Sequence, residues 1–238
     1  MEYNNYEVLD SESKIGELSR TFFANVYKYM FLALAVSGFI SWYASGQGWY
    51  IEMMFTETGL SPLFYITMFA PVGLVLLIQF RIQKLSYSTT LGLFLLYSVL
   101  IGISLAFIFM IYTSASIFLT FFVTAGAFGS MALLGYYTKT DLSKMGSLLY
   151  MVFIGMFIAG IANMLMGSEM ISYIISFLGL IVFTGLTAYK MQEMKKIAGD
   201  PGMVGEDRKK QELLGGLILY ILFINLFMSI LRFVGNRG

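Results

Sequence analysis

Seven runs of mostly apolar residues divide the chain, and they restrict the fold more than any other feature of the sequence. A helix needs about 20 such residues to cross the hydrocarbon core of a bilayer. Inside hydrocarbon only helices and closed β-barrels satisfy their backbone hydrogen bonds, and barrel strands would alternate over about 10 residues. We therefore predict an all-α membrane protein, a bundle of seven transmembrane helices in a lipid bilayer. The predicted spans are 22–43, 62–80, 89–112, 116–136, 146–166, 171–189 and 213–234.

The composition agrees with the membrane class and removes several kinds of chemistry. Hydrophobic residues make up 58% of the chain and charged residues 12%, against about 25% charged residues in soluble domains. Because the chain contains no cysteine and no histidine, thiolate chemistry and histidine bases or ligands are excluded. A net charge of +1 predicts no nucleic-acid partner. We expect no enzyme activity, cofactor or metal, although a lone serine–lysine pair is a catalytic arrangement that the composition leaves open.

Basic residues predict the orientation, because loops rich in lysine and arginine face the cytosol. They occur before the first span and in the loops after the second, fourth and sixth spans, and the intervening loops have none. This pattern predicts a cytosolic N-terminus, with a polar cytosolic arm at 1–21 and a single transmembrane domain at 22–238. Arg232 and Arg237 oppose the trend, so a six-span topology with a re-entrant last segment is the alternative.

Small residues at four-residue spacing predict close helix packing, because small side chains allow membrane helices to approach each other. Packing within the protein is the main interpretation, and dimerisation is the alternative. The pairs are Ala125/Gly129 and Gly126/Ser130 in the fourth span and Gly155/Ala159 in the fifth.

Several motifs occur in an order that resembles the Bax inhibitor-1 (transmembrane Bax inhibitor motif) family, and its bacterial inner-membrane members most closely. The resemblance covers about nine-tenths of the chain, and the combination of "YYTKTDLS", "GLTAY" and "FINLF" is its most specific part. The motifs are "VYKYM", "IQKLS", "IYTSASI", "FVTAGAFGSMALLGYYTKTDLS", "IVFTGLTAY" and "INLFMSILRFVGNR".

The resemblance implies a central helix enclosed by the others, and a multi-pass protein of the cell inner membrane. Family members are linked to calcium leak, pH-dependent gating and suppression of cell death or stress responses, and one bacterial branch modulates a membrane-bound protease. The resemblance therefore implies a calcium or cation leak channel or a small transporter. The alternative is a non-conducting regulator that binds another membrane protein.

The chain departs from the family pattern at two positions. The resemblance implies an aspartate after "AY" in the sixth span and another before "FINLF" in the seventh, a pair thought to share a proton and sense pH. Lys190 and Leu222 occupy the matching positions. Since two neighbouring carboxylates can titrate near neutrality and these two residues cannot, the departure predicts weak or pH-insensitive flux.

The acidic residues support this expectation, because none of the 14 falls inside an apolar run. Calcium takes six to eight oxygen ligands, usually with carboxylates among them. We therefore predict neither a carboxylate relay nor a metal site inside the membrane.

Lys190 has two interpretations. It is an anchor that ends the sixth span and pairs with Glu193 three residues later, or a fixed positive charge at the cytosolic mouth that contacts Glu193 or Glu212. The remaining pore or gating candidates have simpler alternatives. Arg81 is a topology anchor, and Asn225 and Ser229 either pack against neighbouring helices or line a path.

Overall fold

The computed structural model describes the backbone of residues 2–57 and 59–236, and the side chains of residues 16–57 and 59–236. Helices form almost all of this part of the chain, and a two-stranded antiparallel hairpin of β1 (Phe55–Thr56) and β2 (Gly59–Leu60) is the exception. The helices are α1 (Glu2–Ser45), α2 (Gly48–Met54), α3 (Pro62–Arg81), α4 (Tyr87–Ile111), α5 (Ser114–Tyr137), α6 (Ser143–Met166), α7 (Glu169–Ala198) and α8 (Gly205–Val234).

Seven of the helices in the described residues are long and apolar enough to cross a membrane, which confirms the predicted fold class. They are α3 to α8 and the part of α1 over Gly16–Ser45. In α8, 67% of the most apolar stretch is buried, against 11% to 33% in the other six. Because α8 is continuous over 30 residues, the alternative of a re-entrant last segment is wrong.

Local sequence signals explain where several helices begin and end. The hydroxyls of Ser61, Ser86 and Ser168 accept hydrogen bonds from backbone amides in the first turns of α3, α4 and α7. Pro62 then occupies the first turn of α3, where its missing N–H costs nothing. Gly167 ends α6 with φ of 66°, a left-handed conformation that favours glycine.

Three helices extend at least two turns beyond the predicted apolar runs. Helix α1 includes the arm, although the side chains of residues 1–15 lie outside the described residues. Helix α7 continues past 189 to Ala198, and α8 begins at Gly205 instead of 213. The reason is that hydropathy marks the part of a helix that lies in hydrocarbon, whereas polar turns beyond it are helical as well. The connection between α7 and α8 is therefore short, with a turn in which Asp200 Oδ1 accepts a hydrogen bond from the Gly202 amide at 2.8 Å.

The chain forms two compact units. One contains α5, α6, α7, α8 from Ile218 and α1 up to Phe23, and in it α7 packs against both α5 and α6. The other contains α1 from Ala24, α2, the hairpin, α3, α4 and α8 up to Leu217. In this second unit α3 packs against α4, and Ser104 Oγ donates a hydrogen bond to the Thr67 carbonyl at 2.9 Å.

The small residues that bring α5, α6 and α7 together are not the predicted ones. A Cβ added to Gly126, Gly129 or Gly155 would meet no atom within 4 Å, so the predicted packing within the chain is wrong for these glycines. The close approach on α5 is at Gly135, where an added Cβ would lie 2.6 Å from the Ala188 Cα on α7. The four-residue spacing found small residues on α5, but it did not identify the face that α7 covers.

Candidate functional site

Lys190 lies inside α7, which continues for two turns beyond it to Ala198, so the helix does not end where the predicted sixth span ends. Its ammonium group is 2.6 Å from Glu193 Oε2, and it lies 5.4 Å from the ring centroids of Tyr150 and Tyr189. The Lys190 side chain is 16% exposed and the Glu193 side chain 42% exposed. The three-residue spacing on one helix face explains the ion pair, which the sequence predicted.

A glycine on α6 makes room for the two aromatic rings around Lys190. A Cβ added to Gly146 would lie 2.6 Å from the Tyr189 ring, so any larger residue would displace that ring. Tyr150, one turn further along α6, meets Tyr189 edge to face with 6.3 Å between the ring centroids. The ammonium group therefore has one carboxylate partner and two aromatic neighbours, an environment that favours its charged form.

Leu222, the second position that departs from the family pattern, is buried among helices. Leu222 is 6% exposed on α8, and its neighbour Phe223 packs against Phe121 and Phe128 of α5, with ring centroids 5.4 and 5.5 Å apart. Further along α8, Asn225 Nδ2 donates a hydrogen bond to the Ile221 carbonyl, and Ser229 Oγ donates one to the Asn225 carbonyl, both at 2.8 Å. These two polar side chains thus bond to carbonyls of their own helix.

Glu212 lies in the interior of α8, one residue before the start of the predicted seventh span. It is 3% exposed, and Oε2 accepts a hydrogen bond of 3.0 Å from Asn25 Nδ2 on α1. Arg208 Nε, one turn earlier on α8, is 3.5 Å from Oε1. These contacts compensate for burial of the charge, which is otherwise costly.

The polar surroundings of Glu212 include residues that the sequence did not single out. The Tyr87 amide at the start of α4 donates a hydrogen bond of 2.6 Å to Glu206 Oε1, and the Tyr29 and Tyr87 hydroxyls are 2.9 Å apart. The sequence feature that could have pointed to this polar group is Asn25, an amide side chain at the start of an apolar run. Its partners become visible only when α1, α4 and the first turns of α8 are placed together.

Arg81 is exposed at the last residue of α3, where the sequence predicted a topology anchor. Among the described residues, no group of three or more aspartates and glutamates is arranged to hold a metal ion. The candidate residues therefore form two arrangements, the Lys190–Glu193 pair with its tyrosines and the buried Glu212 with Asn25 and Arg208.

Gln192 joins α7 to the segment between α5 and α6, and its loss is expected to destabilise that corner. Its Oε1 accepts a hydrogen bond from the Leu142 amide at 2.9 Å, and its Nε2 donates one to the Thr140 carbonyl at 2.8 Å. Replacing Gln192 with alanine should lower the free energy of unfolding by about 1–2 kcal/mol, because two backbone groups lose their partner. Thermal unfolding in detergent measures this, and the exposed Gln83→Ala variant is the control. Equal midpoints for the two variants would contradict the bridging role.

Comparisons with known proteins match almost the whole chain. A family model described as inhibitor of apoptosis-promoting Bax1 (Bax1-I) matches residues 19–238. The chain is 42% identical over 220 residues to the inner membrane protein YbhL of Escherichia coli K12, covering 92% of both chains. It is 40% identical to an uncharacterized protein of Borreliella burgdorferi, covering 92% of this chain and 94% of the relative. It is 29% identical to an uncharacterized membrane protein of Streptococcus pyogenes serotype M1, covering 98% of this chain and 99% of the relative.

Proposed function

We propose that this chain, which belongs to the Bax inhibitor family, is a calcium or cation leak channel or small transporter. Its flux is weak and insensitive to pH. The chain is a multi-pass inner membrane protein, given its seven membrane-spanning helices and its similarity to an inner membrane protein.

The observation that carries the proposal is the environment of Lys190. The resemblance implies a proton-sharing carboxylate here, and this chain instead has an ammonium group 2.6 Å from Glu193 Oε2. The other carboxylate of the implied pair is replaced by the buried Leu222. Without the two carboxylates, there is no shared proton at these positions to open or close a path near neutrality.

The charge at Lys190 also bears on the strength of flux. At an effective dielectric constant of 20, two unit charges 4 Å apart interact by about 4 kcal/mol, and a divalent cation would be repelled about twice as strongly. Glu193 offsets much of this repulsion, because its carboxylate is closer to the ammonium than a passing ion would be. The pair therefore does not concentrate calcium as two carboxylates would, which supports slow flux rather than complete closure.

Calcium flux into proteoliposomes tests the proposal across about pH 6 to pH 8, the interval in which a proton-sharing carboxylate pair titrates. Wild-type protein should give slow flux of nearly equal rate across the interval. The double variant Lys190→Asp with Leu222→Asp should give flux that changes with pH, because it supplies both carboxylates. The matched control is Lys190→Asn with Leu222→Asn, which has similar side chains that do not titrate.

The outcomes separate the proposal from its alternative. Clear pH-gated flux through the wild-type protein would contradict it. Absence of flux in both the wild type and the aspartate variant would instead favour a non-conducting regulator that binds another membrane protein, with membrane protease modulation or a stress response as its setting. We propose no enzyme activity, since the chain offers neither histidine nor cysteine for catalysis.

A further inference from the structure

A cleft with lysines on its walls lies between the α5–α6 connection and the last turns of α7. Its volume is about 240 Å³. We call it the lysine cleft, and it is lined by Thr138, Lys139, Asp141, Gln192, Lys195 and Lys196. None of these residues belongs to the Lys190–Glu193 pair or to the group formed by Glu212, Asn25 and Arg208. The cleft is therefore separate from the residues on which the proposed conduction depends.

The walls of the lysine cleft are held in place by hydrogen bonds. Gln192 bonds to the backbone on both sides of Asp141, at Thr140 and Leu142. Lys195 Nζ donates a hydrogen bond to the Tyr136 carbonyl at 2.8 Å and lies 4.7 Å from the centroid of the Tyr136 ring. Gln192 and Lys195 are therefore held in place before a ligand binds, so binding does not have to order these two side chains.

The charge on the walls favours an anion. Three lysines and one acidic residue, Asp141, line the cleft. Asp141 Oδ1 already accepts hydrogen bonds from the Ser143 amide at 3.0 Å and the Ser143 hydroxyl at 2.7 Å. These bonds lower the pKa of the Asp141 carboxyl, so it stays ionised at neutral pH and partly offsets the lysines. Lys139 and Lys196 are exposed and can turn towards a ligand.

Apolar surface lies immediately beside the charged groups. Leu134 at the end of α5 is 51% exposed, Tyr137 is 72% exposed, and Leu148 near the start of α6 is 60% exposed. In a membrane-spanning bundle such side chains face lipid, and tyrosine is enriched at the level of the headgroups. The lysine cleft therefore lies where a spanning helix leaves the bilayer, with acyl-chain contacts available next to it.

We propose that the lysine cleft binds the phosphate of an anionic phospholipid headgroup, with the acyl chains lying along the exposed faces of α5 and α6. Lys139 and Lys196 contact the phosphate, and Lys195 supplies a fixed positive charge. The adjacent apolar side chains favour a lipid over free phosphate, which would gain nothing from them. Basic side chains at a membrane surface attract anionic lipids in this way.

Native mass spectrometry of the detergent-solubilised protein tests the proposal by counting retained lipids. The probes are phosphatidylglycerol and phosphatidylcholine with the same acyl chains. The wild type should retain phosphatidylglycerol preferentially. The double variant Lys139→Gln with Lys196→Gln should weaken that binding about 25-fold, since each lysine near an anionic lipid contributes about fivefold. Lys84→Gln with Lys209→Gln removes the same charge outside the cleft and should leave retention unchanged.

A variant that should increase lipid retention gives a second test. Asp141→Asn removes the one negative charge on the wall and keeps an oxygen that can accept the Ser143 bonds, so it should increase phosphatidylglycerol retention. Equal retention of the two lipids by the wild type, or equal loss in the two lysine double variants, would overturn the proposal. Displacement of the lipid from the cleft by inorganic phosphate would assign the site to free phosphate and would also overturn it.

Discussion

Gly135→Ala is expected to lower the free energy of unfolding by about 3 kcal/mol or more, because it forces a side chain into the backbone of a neighbouring helix. The added Cβ would lie 2.6 and 2.7 Å from the Cα and carbonyl carbon of Ala188, and it would clash with the Ala188 carbonyl oxygen. Flexible side chains can move away from such a contact, but the backbone of α7 cannot move without disturbing its packing against both α5 and α6. Thermal unfolding in detergent, followed by circular dichroism, measures the effect.

Gly129→Ala is the matched control, because it makes the same substitution on the same helix. A Cβ at Gly129 would meet no atom within 4 Å, and alanine is a better helix former than glycine. The control should therefore be neutral or stabilising by up to about 1 kcal/mol. If Gly135→Ala were as stable as Gly129→Ala, the close approach of α5 to α7 would be wrong.

Glu212→Ala is expected to cost about 3–5 kcal/mol of stability, because removing one partner from a buried ion pair is strongly destabilising. Glu212 is 3% exposed, and the side chain of Arg208 is 11% exposed. The alanine variant also removes the acceptor for Asn25 Nδ2 on α1. Glu212→Gln should cost less, since its amide oxygen can still accept from Asn25. The measurement is the unfolding midpoint of each variant in the same detergent.

Asp207→Ala is the control for charge removal near the start of α8. Its carboxylate is 3.0 Å from Lys210 Nζ; the Asp207 side chain is 82% exposed, and the Lys210 side chain is 10% exposed. Because the Asp207 carboxylate itself lies in water, which screens its attraction to Lys210, this variant should lose less stability than Glu212→Ala. Similar losses for Asp207→Ala and Glu212→Ala would show that burial of Glu212 is not what stabilises the fold.

The number of spanning helices was predictable from the sequence, because transfer of apolar residues to hydrocarbon depends on composition alone. The Lys190–Glu193 pair was predictable as well, since its partners are three residues apart on one helix. The end of α7 and the start of α8 were not, because their polar turns lie outside the apolar runs.

Glu212 shows why the rest of the site could not be predicted. A glutamate beside arginine and lysines is typical of a solvated loop. Its burial here is compensated by a hydrogen bond from another helix. The donor of that bond, Asn25, is 187 residues away in sequence. The close packing of Gly135 is a similar case, because the sequence of α5 does not specify which of its faces meets Ala188.

The Lys190–Glu193 ion pair and the Asn25–Glu212 hydrogen bond respond differently when helices move. Lys190 and Glu193 belong to the same helix, so their bond travels with α7 and survives any displacement of α7 as a rigid rod. The Asn25–Glu212 bond joins two helices, so it breaks when α1 and the first turns of α8 separate. Separation of α1 from α8 is therefore coupled to the Asn25–Glu212 bond, and it leaves the Lys190–Glu193 pair intact.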